Sequence, residues 1–127
     1  MNHEVQVRVK SEYLPDQSDP SRNRYVFAYR VLISNEGDVS VKLISRYWLI
    51  TDGNGDTREV KGQGVVGEQP VIEPGGTYIY TSGAVAETEV STMQGHYIMQ
   101  PVTEDDSPEP LEVEIPVFTL AVPNRLN

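Results

Sequence analysis

Six consecutive residues, Gly62-Gln63-Gly64-Val65-Val66-Gly67, have the GxGxxG spacing that lets a backbone close on a pyrophosphate. That chemistry needs more than glycines. A dinucleotide fold opens a helix at the third glycine so that its N-terminal dipole faces the phosphates; here Glu68-Gln69-Pro70 follows, with no helical pattern. A kinase-type glycine loop needs a cation further on to hold phosphate charge, yet no Lys or Arg lies between Lys61 and Arg125, so only Arg58 and Lys61 could assist. The first reading of Gly62, Gly64 and Gly67 is therefore conformational: they permit positive φ and a tight bend. A functional reading without phosphates takes Val65 and Val66 as exposed apolar residues beside Glu68, Gln69 and Pro70. The stretch from Gly62 to Pro70 then becomes a protein-docking surface.

Metal chemistry has weaker candidates. Asp52, Asn54 and Asp56 fall on calcium-loop positions one, three and five, but Thr57 stands where that loop needs glycine and Gln63 where it needs glutamate. Glu104, Asp105, Asp106 and Glu109 are hard-cation ligands by type in a segment that reads as a solvated acidic loop. The two histidines, His3 and His96, form no spaced ligand pair, and His96 falls within a strand pattern. No GxSxG or comparable triad signature is present, so no catalytic residue, metal ligand or cofactor is assigned.

The elements that must position these residues are short. At 127 residues the chain has the size of one domain, spanning 1–127. It has no cysteine, so packing and strand pairing must hold it. No window approaches the ~20 apolar residues of a membrane span, and Met1-Asn2-His3-Glu4 does not read as a signal peptide; the expected location is the cytoplasm. The net charge of −9 is uneven: residues 1–61 carry nine basic and nine acidic residues, residues 62–127 ten acids and only Arg125. Such a balance repels phosphate backbones and anionic membranes, which argues against nucleic-acid or membrane partners.

Apolar residues recur with period two, as on strands with one buried face. Val5, Val7 and Val9 open the chain this way, and Tyr25, Phe27, Tyr29, Val31 and Ile33 follow a Pro- and Asp-rich loop. Asn35-Glu36-Gly37-Asp38 turns into Val39–Thr51, where Val41, Leu43, Tyr47 and Leu49 share one parity and Ile44, Trp48 and Ile50 the other. Apolar residues on both faces fit a central strand, or one that passes between sheets, with Trp48 as a core anchor. Asp52–Asp56 reverses the chain into Thr57–Lys61, whose Arg58, Glu59 and Lys61 suit an edge. Strands follow at Thr77–Val85, Ser91–Gln100 and Leu111–Val122, with Pro116 at an edge or bulge. The reading is all-β: an immunoglobulin or fibronectin type III-like sandwich of about seven antiparallel strands in two sheets. An uncovered edge would also allow a homodimer.

Gly62 to Gly83, GQGVVGEQPVIEPGGTYIYTSG, resembles the hallmark stretch of the ApaG family. SRYWLITD at 45–52, GHYIM at 95–99 and IPVFTLAVPNRLN at 115–127 extend the likeness over nearly the whole chain. The resemblance implies a fibronectin type III-like sandwich without established catalytic residues. It also implies an association with cobalt and magnesium efflux, which a chain lacking a membrane span could serve only through a partner or regulation. The expected function is a non-enzymatic protein-interaction module of unknown partner; the alternative is a binding domain for a phosphorylated nucleotide or a divalent cation.

Overall fold

The computed structural model describes residues 4–104 and 108–123. Their strands are β1 (Val5–Tyr13), β2 (Tyr25–Asn35), β3 (Ser40–Asp52), β4 (Thr57–Gln63), β5 (Val71–Ile72), β6 (Thr77–Ala86), β7 (Val90–Val102) and β8 (Leu111–Ala121). Two 3-10 turns, Pro15–Gln17 and Pro20–Arg22, break the loop after β1. All pairings are antiparallel. A three-stranded sheet runs β1-β2-β6, and a five-stranded sheet runs β4-β3-β7-β8 with β5 also paired to β3. The all-β sandwich is as the alternation predicts, with eight strands in place of about seven. The added one, β5, is two residues long and continues the line of β4 along β3.

Alternation also selects the core. Tyr25, Phe27, Tyr29, Val31 and Ile33 all point into the space between the sheets. Trp48, 2% exposed, meets Tyr29 at 5.4 Å and Phe118 at 5.7 Å between ring centroids, both edge-on, a packing geometry the ring quadrupole favours. Tyr80 and Tyr97 share a hydrogen bond in the same layer. Burial pushes both phenols well above their ordinary pKa.

The mixed parity of β3 has a specific cause. Leu43 pairs with Met99 and Ser45 with Ile98, so Ile44 is an extra residue, a bulge, in β3. Before it Val41 and Leu43 face the core; after it Trp48 and Ile50 do. The strand is central and stays in one sheet, which corrects the alternative of a passage between sheets. A second bulge lies in β8. Met93 pairs with Phe118 and Gly95 with Ile115, placing Pro116 and Val117 opposite Gln94 on an edge strand, where a residue without an N–H is tolerated.

Candidate functional site

The glycine stretch leaves the edge of the five-stranded sheet where β3 bulges. Ile44, the inserted residue, has a carbonyl that accepts the Gly64 N–H at 2.8 Å and the Gln69 Nε2 amide at 2.9 Å. The Leu43 N–H donates to Pro70 O at 2.9 Å. Both ends of the excursion are thus fastened to adjacent residues of one strand. Between them, Val65 N–H donates to Glu68 O at 2.8 Å and Glu68 N–H to Val65 O at 2.9 Å, closing a two-residue hairpin turn. Its central residues have φ of 43° at Val66 and 81° at Gly67, the signs of a type I′ turn, whose first central position favours Asn, Asp or Gly. Val66 is a β-branched residue in left-handed backbone, a costly arrangement. It is 57% exposed at the tip.

Each expected site residue has a definite place. Gly62, the next-to-last residue of β4, lies beneath the Arg46 guanidinium, which a Cβ would meet at 2.8 Å. Gly64 has φ of 60°, and a Cβ there would lie 2.0 Å from Glu68 O, so only glycine fits. Val65 is 1% exposed and belongs to the core, which corrects its reading as an exposed docking residue. Val65 is the paired residue at the base of the turn and folds inward, while Val66 in the turn itself projects. Glu68 accepts the Tyr78 hydroxyl at 3.0 Å; burial, then this bond, raises the Tyr78 pKa.

The cation at this loop is Arg46, a residue the sequence reading missed. Its NH1 donates to Gln63 O at 3.0 Å and Gly64 O at 2.8 Å. The available signal was its position opposite Gly62 in the β3–β4 hairpin, which requires the register to be known. Arg58 turns elsewhere, donating to Val85 O at 2.7 Å and lying 3.5 Å from the buried carboxylate of Asp52. Lys61 sits 5.7 Å over the Tyr47 ring. The loop therefore presents carbonyls to its arginine, and the N–H groups of Gly64, Val65 and Glu68 are already bonded within the protein. A pyrophosphate cradle needs such N–H groups free and converging. Among the described residues no helix follows Gly67.

Other candidates are also placed. Asp52 points inward, its Oδ1 accepting Ser91 Oγ–H at 2.9 Å and the Glu87 N–H at 3.2 Å. Asn54 and Asp56 build an exposed turn by bonding to each other. Glu104 and Glu109 are exposed, whereas Asp105, Asp106 and His3 lie outside the described residues. His96 stacks on Tyr47 at 5.1 Å, with Nδ1 3.5 Å from Glu112 Oε1. Tyr47 donates to Glu59 at 2.6 Å, a bond that raises the Tyr47 pKa. Among the described residues no group of three or more His, Asp and Glu could hold a metal ion, and no helix is long and apolar enough to cross a membrane.

Two antiparallel sheets with a fastened glycine hairpin on one edge define a β-sandwich of narrow description. The chain belongs to the ApaG domain family, whose profile matches residues 15–101. It is 58% identical to Protein ApaG of Erwinia tasmaniensis over 123 residues, 97% of this chain and 95% of that one. It is 53% identical to Protein ApaG of Escherichia coli over 123 residues, with the same coverage. The crystal structure of a Bordetella pertussis protein designated ApaA superposes with a TM-score of 0.89 at 45% identity, covering 97% of both chains.

Proposed function

We propose that this protein is a non-enzymatic interaction module of the cytoplasm that engages a protein partner through its Gly62–Pro70 hairpin. The observation that carries this reading is Val66: a large apolar residue kept at positive φ, 57% exposed, on a turn whose base is fastened at both ends. Strain retained at an exposed position supports a role outside folding, and an apolar tip on a rigid base suits docking. The association with cobalt and magnesium homeostasis implied by the resemblance would then run through the partner. Val66→Asp tests the reading. The variant is expected to keep its melting temperature within ~3 °C, because the site is exposed, and to lose the proteins that the unaltered chain retains in affinity purification with quantitative mass spectrometry. Retention of the same proteins would refute it. The phosphate alternative predicts heat on calorimetric titration with ATP, which the engaged N–H groups of the loop argue against.

A further inference from the structure

Along one side β6 has no neighbouring strand among the described residues, and at its end the Arg58 guanidinium donates to Val85 O at 2.7 Å. Among the described residues β6 pairs only with β2, and its sequence TYIYTSGAVA holds no charge and no proline. Edge strands ordinarily carry such features because unpaired N–H and C=O groups recruit other strands. The other edges follow that rule: β4 has Arg58, Glu59 and Lys61, and β8 has Glu112, Glu114, Pro116 and a bulge. β1 has Arg8, Lys10 and Glu12, and Ser11 Oγ–H ties it to Thr119 O of β8 at 2.7 Å.

The sheet face beside this edge has a charge opposite to that of the chain. On its outer surface Lys10 stands directly across from Arg30, and Arg30 across from Thr81; Arg8, Leu32 and Ile79 form the next row. Three cations, Arg8, Lys10 and Arg30, outnumber the single anion Glu12 on the strands of this face, in a chain whose net charge is −9. None of the three cations has an ion-pair partner among the described residues. Like charges directly opposite in a sheet destabilise it. A groove of about 490 Å³ lined by Lys10, Ser11, Glu12, Ala28, Arg30 and Thr81 crosses this surface.

From these two observations we infer that β6 binds an extended acidic peptide segment by strand addition. The segment's backbone pairs with Ile79–Gly83, and its outward carboxylates meet Arg30, with Lys10 one strand further back adding to the positive field. Adjacent strands lie ~4.8 Å apart, so an outward side chain on the added strand is two strand spacings from Arg30. Thr81 and Gly83 are small enough for a guanidinium and a carboxylate to meet above them. The main chain would supply affinity and the alternate side chains specificity. A second copy of this chain fits less well, because its β6 edge brings no carboxylate to the Arg30 row and its net charge is equally negative. The inference goes beyond the hairpin reading and stands without it.

The test uses the full chain and a fluorescein-labelled peptide of alternating threonine and glutamate, followed by anisotropy at low salt. Binding is expected with a Kd below about 1 mM, with amide shifts centred on Ile79–Gly83. Arg30→Glu, an exposed change that also removes the like-charge pair, should weaken binding at least about tenfold. N-methylation of the set of alternate peptide amides that faces β6 should do the same at unchanged charge. Val66→Asp should leave this binding unchanged, which separates a failure here from a failure of the hairpin reading. The inference is overturned by no binding at about 1 mM, by equal binding when either amide set is methylated, by equal binding of a threonine–lysine peptide, or by shifts confined to residues 62–70. A single-stranded oligonucleotide of equal charge that binds as tightly as the peptide also overturns it, assigning the face to nucleic acid.

Discussion

Replacing Val66 with asparagine should make the protein more stable, although valine is the more apolar residue. At φ of 43° Val66 occupies left-handed backbone, which costs an L residue ~1–2 kcal/mol and asparagine less. The opposing contribution is burial. Val66 is 57% exposed, so it forfeits less than half of the ~1.5–3 kcal/mol that full burial of a valine contributes. Asparagine keeps the Cβ and part of that contact. The balance is a gain of ~0.5–1 kcal/mol, or ~2–4 °C in melting temperature for a domain of this size. Val66→Gly should gain less, because glycine's greater freedom in the unfolded chain offsets the relief. Urea and thermal unfolding followed by circular dichroism measure both variants. A loss of 1 kcal/mol or more for Val66→Asn, with an unchanged denaturant slope, would refute the strain argument and show that the valine side chain packs in place.

Gly64→Ala should cost more than ~3 kcal/mol, since the new Cβ would meet the Glu68 carbonyl at 2.0 Å in backbone fastened on both sides; urea midpoints check it. The buried Tyr80–Tyr97 pair predicts alkaline lability. Both folded pKa values lie above the ordinary 10.0, so above pH 10 the unfolded state releases protons first. The stabilisation is complete below pH 10 and declines by up to ~1.4 kcal/mol per pH unit for each hydroxyl as pH rises toward the folded values. Tyr97→Phe should remove one hydroxyl's share of that slope; an unchanged slope between pH 10 and 11.5 counts against the pair as its source. Asp52→Ala should cost ~2–4 kcal/mol, because Ser91, the Glu87 N–H and Arg58 lose a buried acceptor. Calorimetry reads that loss.

Much of the sandwich was legible because alternation is a local signal. Tyr25 through Ile33 needed only their own spacing to be placed in the core, and Pro116 announced its edge bulge through its missing N–H. What escaped depended on partners. The bulge at Ile44 exists only relative to β7, so the two parities of β3 read as two faces when they are one face shifted by a residue. Val65 was misplaced because the whole glycine-rich excursion was read as exposed, whereas only its tip at Val66 projects and Val65 at its base turns into the core. Arg46 went unnoticed because its role depends on Gly62 lying opposite it, a register no single segment contains. β5, two residues long, is too short to show a period.

The extra residue in β3 has an architectural result. By releasing one carbonyl from the regular ladder, Ile44 offers a mooring post that receives the incoming and outgoing arms of the hairpin alike. What lies beyond that post is held to the layers below by the inward side chain of Val65 and by the Tyr78 hydroxyl on Glu68, and the tip residues Val66 and Gly67 lie outside both ties. The tip at Val66 and Gly67 can therefore be rewritten, or lengthened by paired insertions, while the sandwich keeps its register.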